Sequence, residues 1–293
     1  MHRAKSLAFI VAGGTVIAGL VGLAFLSGGA GLAAPNSPGL ATQGLRTDNR
    51  PAATPVDIEL ALAVDVSYSM DTDELAVQRE GYADALVSPE FLSALRIGTH
   101  GRIAVTYFEW AAAYDQTIVV PWRLIDGPES ADSVAAEIRA APIRRAARTS
   151  ISGAITFAMP LFETSGYRGQ RRVIDISGDG PNNNGMPITV ARDEAISRGF
   201  TINGLPIMIK PMSTSMMDIE NLDNYYEDCV IGGPGAFVVP IKTREKFKEA
   251  IRTKLVMEVA GRVPERPVVP MATPLPRVSC MIGERMWQQR WGP

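Results

Sequence analysis

The junction between an apolar run and the segment Asp65–Ser69 constrains this chain most. Ile58–Val64 is apolar at nearly every position, which is typical of a strand buried in a sheet. After it, Asp65, Ser67 and Ser69 place one carboxylate and two hydroxyls at alternate positions. We expect these oxygens at the carboxyl end of the strand. Oxygen ligands without imidazole or thiolate favour Mg²⁺ or Ca²⁺ over zinc, iron or copper.

Two further segments place oxygen side chains at the boundaries of predicted elements. Thr149 lies in a loop that opens an apolar helix, and Asp179 follows a second apolar strand that begins at Val173. Each residue also has a simpler structural interpretation. The serines and Thr149 can cap helices, and Asp179 can belong to an Asp-Gly turn. The combination of the three segments therefore carries more weight than any one of them.

Taken in order, Asp-x-Ser-x-Ser, Thr and Asp-Gly resemble the metal-ion-dependent adhesion site (MIDAS) of von Willebrand factor A (vWA) domains. The resemblance covers roughly Val56 to Gly261. Within that superfamily the chain is similar to DUF1194, a family of exported bacterial proteins, on three segments: Tyr107–Trp110, Ser177–Asn183 and Asp228–Phe237. Most members of that family have Thr-Asp-Gly where this chain has Gly178-Asp179-Gly180, which keeps the aspartate.

The resemblance implies a role for each of the five oxygen side chains. Ser67, Ser69 and Thr149 would bind the cation directly, while Asp65 and Asp179 would hold it largely through water. The cofactor would be Mg²⁺, or Ca²⁺ or Mn²⁺. An ion with few anionic ligands keeps positive character and an open position, which a carboxylate of a partner protein can fill.

Three more residues are candidates for a partner-binding rim around this site. Trp110 follows the second predicted strand, Arg148 ends a basic run just before Thr149, and Asn182 lies in an asparagine-rich loop after Asp179. Each has an alternative as a half-buried loop tryptophan, a solvated basic surface or a plain polar turn.

Strands and helices alternate through residues 56–261, which predicts an α/β fold with a doubly wound, mostly parallel sheet. We expect six strands flanked by helices, as in vWA and Rossmann-like domains, with one antiparallel edge strand. The predicted strands are Ile58–Val64, Ile103–Phe108, Gln116–Val120, Arg171–Ile176, Thr201–Ile209 and Ala236–Val239. Ligands of such sheets bind at the carboxyl ends of the strands, where the strand order reverses.

The N-terminus has the layout of a secretory signal. Positive charge in His2–Lys5 precedes the apolar stretch Leu7–Leu26 and the small residues of Gly31–Ala34. This predicts a signal peptide over residues 1–34, a linker over 35–55, the vWA-like domain over 56–261 and a proline-rich tail over 262–293. The alternative is an uncleaved anchor in the inner membrane. In both cases the domain is exported to the periplasm or cell envelope, and it meets a membrane only through such an anchor.

An oxidising compartment favours a disulfide between Cys229 and Cys280, which would pin the tail to the domain. The alternative is two unrelated buried thiols. The formal net charge of −2 gives no electrostatic case for nucleic acid as a partner.

These features favour a non-enzymatic domain that binds a protein. The chain has two histidines, His2 and His100, and it lacks the Gly-x-Ser-x-Gly and phosphate-loop motifs. A Mg²⁺-dependent hydrolase and a structural envelope protein with an empty site are the alternatives.

Overall fold

The computed structural model describes residues 53–209, 218–261 and 278–292. The predicted signal peptide, nearly all of the predicted linker and the proline-rich part of the tail lie outside these ranges. No helix within them combines the length and the apolar composition that crossing a membrane requires.

A twisted sheet with β1 at its centre forms the middle layer. Every position of β1 from Val56 to Asp65 is buried, because helices cover both faces of the sheet. The strands are β1 (Thr54–Asp65), β2 (Ile103–Trp110), β3 (Gln116–Ile125), β4 (Tyr167–Gly178) and β5 (Thr201–Pro206), in the spatial order β3-β2-β1-β4-β5. All neighbours pair in parallel except β2 and β3. The predicted α/β class and the antiparallel edge strand are confirmed.

Helices pack against both faces of the sheet. They are α1 (Thr72–Leu86), α2 (Pro89–Leu95), α3 (Pro128–Ala140), α4 (Ile151–Glu163), α5 (Ile188–Ser197), α6 (Leu222–Tyr225), α7 (Phe247–Ala260) and α8 (Ile282–Trp291). One apolar core joins the sheet to α1, α2, α3 and α7, and a second joins it to α4, α5 and α6. A π-helical turn, Tyr226–Val230, continues α6.

The structure corrects the predicted number of strands. Among the described residues the sheet has five, because Ala236–Val239 makes only isolated bridges, such as that between Gly204 and Val238. Pro240 has no backbone N–H to donate, and positive φ angles at Gly233 and Gly235 bend the chain before the segment. The neighbouring strand β5 likewise ends at Pro206 instead of continuing to Ile209.

A cluster of buried charges lies between the sheet and α7. Lys254 of α7 forms ion pairs with Asp175 of β4 and with Glu258, which is one helical turn further along α7. Asn203 of β5 donates a hydrogen bond to the same Glu258 oxygen at 3.1 Å. Asp175 is therefore paired inside the fold.

Candidate metal centre

The strands β1 and β4 end side by side and deliver the two predicted carboxylates to one place. Asp65 is the last residue of β1, and Asp179 follows the last residue of β4. In the parallel register Val64 lies opposite Ser177, so the two ends are level. Because β1 has β2 on one side and β4 on the other, this edge is the point where the strand order reverses.

A chain of direct hydrogen bonds links four of the five predicted ligands. The Ser67 amide donates to Asp65 Oδ1 at 2.7 Å, and the Ser67 and Ser69 hydroxyls lie 2.7 Å apart. The Ser69 hydroxyl donates to Asp179 Oδ1 at 2.5 Å. Residues 110 positions apart in the chain thus share one polar cluster, and every member contributes an oxygen of the kind that hard cations prefer.

Thr149 is placed by the backbone of its own loop, which runs between the other two segments. Ala146 forms a parallel bridge with Ser67 on one side. On the other side the Thr149 amide donates to Asn183 Oδ1 at 3.0 Å, and the Asn183 amide donates to the Thr149 carbonyl at 2.8 Å. The loop that carries Thr149 is therefore fastened both to the Asp65–Ser69 segment and to the loop after Asp179.

The asparagines after Asp179 hold the start of α4. Asn182 Oδ1 accepts from the Ser152 amide at 3.0 Å, and the Asn184 carbonyl accepts from the Ser150 hydroxyl at 2.7 Å. These contacts satisfy polar groups in the first turn of the helix, which otherwise lack partners. The asparagines therefore order the loop and helix that border the site.

Hydrogen bonds, and no described side chain of opposite charge, stabilise the Asp65 carboxylate. The side chain is fully buried, and Oδ2 meets no hydrogen-bond donor among the described residues. Burial raises the pKa of Asp65 well above its usual range, and the nearby negative charge of Asp179 raises it further, while hydrogen bonds from Ser67 and from the Asp179 backbone oppose this shift. No described side chain forms an ion pair with Asp65. A divalent cation suits this position, because it would neutralise the buried carboxylate.

The glycine that departs from the family pattern has a structural partner. A Cβ atom on Gly178 would lie 2.9 Å from Asp65 Oδ2 and 3.0 Å from the Tyr226 hydroxyl. The tyrosine is fully buried, and its hydroxyl donates to the Gly178 carbonyl at 3.4 Å. Tyr226 thus occupies the space that a larger side chain at position 178 would need. Asp179 still reaches the cluster, where it accepts from the Ser69 hydroxyl.

The structure corrects two of the three predicted rim residues. Trp110 is fully buried, because β2 continues to this residue and directs the indole into the apolar core beneath α4. Asn182 is also buried, and its side-chain Nδ2 donates to Glu284 Oε1 of α8 at 2.8 Å. Arg148 alone remains near the surface. Its guanidinium lies 3.2 Å from the centroid of the Trp287 ring.

Sequence reasoning missed the residues that approach the site from the C-terminal part of the chain. Cys229 and Cys280 form a disulfide that fastens the tail, and Glu284 and Trp287 of α8 then contact the loops that carry Asp179 and Thr149. The cysteine pair was the available signal, since it predicts that the tail returns to the domain. Nothing in the local pattern indicates which tail residues make contact.

Comparison with known sequences identifies the family. The family described as "Protein of unknown function (DUF1194)" matches residues 55–263. The chain belongs to this family. No curated protein matches the chain at a significant level.

Solved structures with the same fold are vWA domain proteins. Proximal thread matrix protein 1 from the mussel byssus, with a zinc-occupied MIDAS motif, is 15% identical, with a TM-score of 0.50 and coverage of 71% of this chain and 48% of that chain. The vWF domain of the type V pili tip protein Mfa5 from Porphyromonas gingivalis is 11% identical, with a TM-score of 0.47 and coverage of 74% and 99%. The DUF1194 chain spans about half the length of the byssus protein. The likeness to the byssus protein shows the vWA fold and nothing beyond the fold.

Proposed function

We propose that this DUF1194 protein is an exported, non-enzymatic binding domain that captures an acidic residue of a partner protein through a divalent cation. The ligand set is Asp65, Ser67, Ser69, Thr149 and Asp179, and Mg²⁺ is the proposed ion, with Ca²⁺ or Mn²⁺ as alternatives. Export through the N-terminal signal would place the domain in the periplasm or cell envelope.

The observation that carries the proposal is the buried Asp65 carboxylate at a hydroxyl-rich cluster. One oxygen of Asp65 accepts from the Ser67 amide, and the other has no partner among the described residues.

The residue types of the site limit which ion it suits. The described residues contain no group of three or more His, Cys, Asp or Glu side chains that could hold a metal, so the proposed site depends on its hydroxyls as well. A site with two carboxylates and three hydroxyls fits a hard ion that keeps water and leaves room for an outside ligand.

The position of the histidine supports a binding role over hydrolysis. His100 is the one histidine among the described residues, and it precedes β2, where its amide donates to Asp57 Oδ1 at 2.9 Å. That is the amino-terminal edge of the parallel strands, whereas the cluster lies at the carboxyl edge. A Ser-His-Asp relay with Ser67 or Ser69 would therefore lack its base.

Thermal or urea unfolding of the full chain in Mg²⁺ tests the proposal. At 100 times its dissociation constant, a bound ion should raise the free energy of unfolding by about 2.7 kcal/mol. Asp65→Ala should abolish this gain. Asp132→Ala removes an exposed carboxylate on α3 and should keep it. A wild-type protein whose stability is equal in Mg²⁺ and in chelator would overturn the proposed function.

A further inference from the structure

Exposed and partly exposed arginine and aromatic side chains lie beside the residues of the site. We call them the arginine–aromatic face, and its members are Tyr68, Arg145, Arg148, Trp287 and Trp291. Tyr68 stands between the two serines of the cluster with 61% of its surface exposed, and Trp291 is 51% exposed. These residues come from three distant parts of the chain, so the fold, and not one local motif, assembles them.

Contacts between rings and guanidinium groups join these residues into two groups, Tyr68 with Arg145, and Arg148 with Trp287 and Trp291. The Arg145 guanidinium lies 5.5 Å from the centroid of the Tyr68 ring, and that of Arg148 lies over Trp287. Trp287 stacks on Trp291 with ring centroids 4.2 Å apart. Both arginines belong to the loop that carries Thr149, so the face borders the proposed metal ligands directly. A guanidinium beside an aromatic ring can still donate hydrogen bonds from its remaining N–H groups to an incoming carboxylate.

The C-terminal helix is fastened firmly enough to be part of a binding surface. The disulfide between Cys229 and Cys280 ties the chain just before α8. Glu284 then accepts from Asn182, and a Cβ atom on Gly283 would lie only 2.1 Å from the Asn182 carbonyl oxygen. The helix therefore approaches the loop after Asp179 more closely than any side chain at position 283 would permit.

The charges of the face remain available to a partner. Arg144, the neighbour of Arg145, forms ion pairs with Glu109 and Asp115 and is thereby neutralised. Within the described part of the chain, no ion pair involves Arg145 or Arg148. Arg145 donates a hydrogen bond to the Tyr68 carbonyl at 2.7 Å, which positions the side chain without cancelling its charge.

We infer that the arginine–aromatic face receives an acidic segment of the partner protein, with several carboxylates flanking the one that the cation binds. This inference rests on the proposed function and specifies its partner. The arginines match carboxylates in charge and in planar geometry, and the aromatic rings cover the stem of an extended peptide. The C-terminal helix, beyond the region that the family match covers, thus becomes part of the recognition surface.

Fluorescence anisotropy with a labelled peptide of glutamates tests the inference, and a labelled peptide of glutamines of equal length serves as the probe control. The full chain should bind the glutamate peptide in Mg²⁺ and prefer it over the glutamine peptide. Replacing both arginines, Arg145→Gln with Arg148→Gln, should weaken binding by about two- to fivefold for each residue. Trp287→Ala should weaken binding as well, because Arg148 loses its support.

Two matched variants make the result decisive. Arg96→Gln changes an exposed arginine after α2, at the opposite edge of the sheet, and should bind like the wild type. Asp65→Asn should remove the Mg²⁺ dependence. Wild-type affinity in the double arginine variant, or no preference for the glutamate peptide, would overturn the inference. The proposed function would still stand in that case if Mg²⁺ raised the stability of the wild-type protein. Arginine-dependent binding that ignores both Mg²⁺ and Asp65→Asn would uphold the face and overturn the metal bridge.

Discussion

Asp65 and Asp175 are two buried carboxylates on neighbouring strands, and the protein treats them differently. Both are fully inaccessible, and burial raises the pKa of each above its usual range. Asp175 faces the Lys254 ammonium group, which the fold brings from α7. Asp65 faces a second carboxylate, Asp179, whose charge raises the Asp65 pKa further.

This difference separates a buried charge that the fold pairs with a cation from one that it does not. The cluster around Asp175 contains its own cation, Lys254, although Asp175 Oδ2 and Glu258 Oε2 are buried without a hydrogen-bond partner among the described residues. The cluster around Asp65 contains hydroxyls and carboxylates, one buried oxygen also lacks a partner, and no described side chain forms an ion pair with Asp65. A buried charge without an opposite charge beside it is unfavourable, and this one lies at the carboxyl edge of the sheet, where we propose that a divalent ion binds.

Removing the internal cation should have the largest effect. Lys254→Met leaves Asp175 and Glu258 buried without their counter-charge, and breaking such a pair typically costs about 3–5 kcal/mol. Urea unfolding at neutral pH measures this loss. The matched control is Lys248→Met, which breaks an exposed pair with Asp84 and should cost less than about 1 kcal/mol. Equal losses in the two variants would contradict the distinction between the buried and exposed pairs.

Removing the uncompensated charge should have the opposite sign when no cation is present. In chelator at mildly alkaline pH, Asp65→Asn should raise the free energy of unfolding by about 1–3 kcal/mol, because it removes a buried charge that lacks a partner. In saturating Mg²⁺ the order should reverse, since only the wild type gains stability from the ion.

Asp175→Asn provides the control for this reversal. It changes the other buried carboxylate and leaves the metal ligands in place, so it should keep the wild-type response to Mg²⁺. Should Asp65→Asn be less stable than the wild type in chelator, Asp65 would be a structural residue and the comparison with Asp175 would fail.

The sequence predicted the part of this arrangement that depends on local pattern and topology. Apolar runs identify β1 and β4 as buried strands, and parallel strands bring their carboxyl ends together, so Asp65 and Asp179 converge. Alternation along β4 likewise turns Asp175 away from the site. These predictions require only the strand direction and a two-residue period.

The parts that depend on packing were beyond the sequence pattern. Tryptophan is a residue type favoured at interfaces, but β2 runs further than predicted and buries the Trp110 indole. Nothing local indicates that Lys254, 79 positions after Asp175, supplies its counter-charge. The contact between Glu284 and Asn182 spans 102 positions and depends on where the disulfide returns the tail. Such contacts follow from the assembled tertiary structure.

The smallest expected effect, counted per pH unit, is a change in the pH dependence of stability. The Lys254 cluster holds two carboxylates against one ammonium group, so it retains a proton that the unfolded chain releases. Burial, followed by the charge of Glu258, raises the pKa of Asp175 to about 7. An aspartate in the unfolded chain has a pKa of about 3.9. Between these values the folded protein binds more protons, so its stability should fall as pH rises, by up to about 1.4 kcal/mol per pH unit.

Asp175→Asn should remove this part of the pH dependence. The variant pairs Lys254 with Glu258 alone, which leaves one positive and one negative charge and no proton to lose. Urea unfolding of both proteins in chelator, from about pH 4 to about pH 8, gives the two curves to compare. Asp65 also has a raised pKa and contributes a slope of the same sign, but it is present in both proteins and cancels in their difference. The difference should grow with pH and level off above about pH 7. Parallel curves would mean that Asp175 is already ionised at low pH in the folded protein, and that Lys254 satisfies both carboxylates at once.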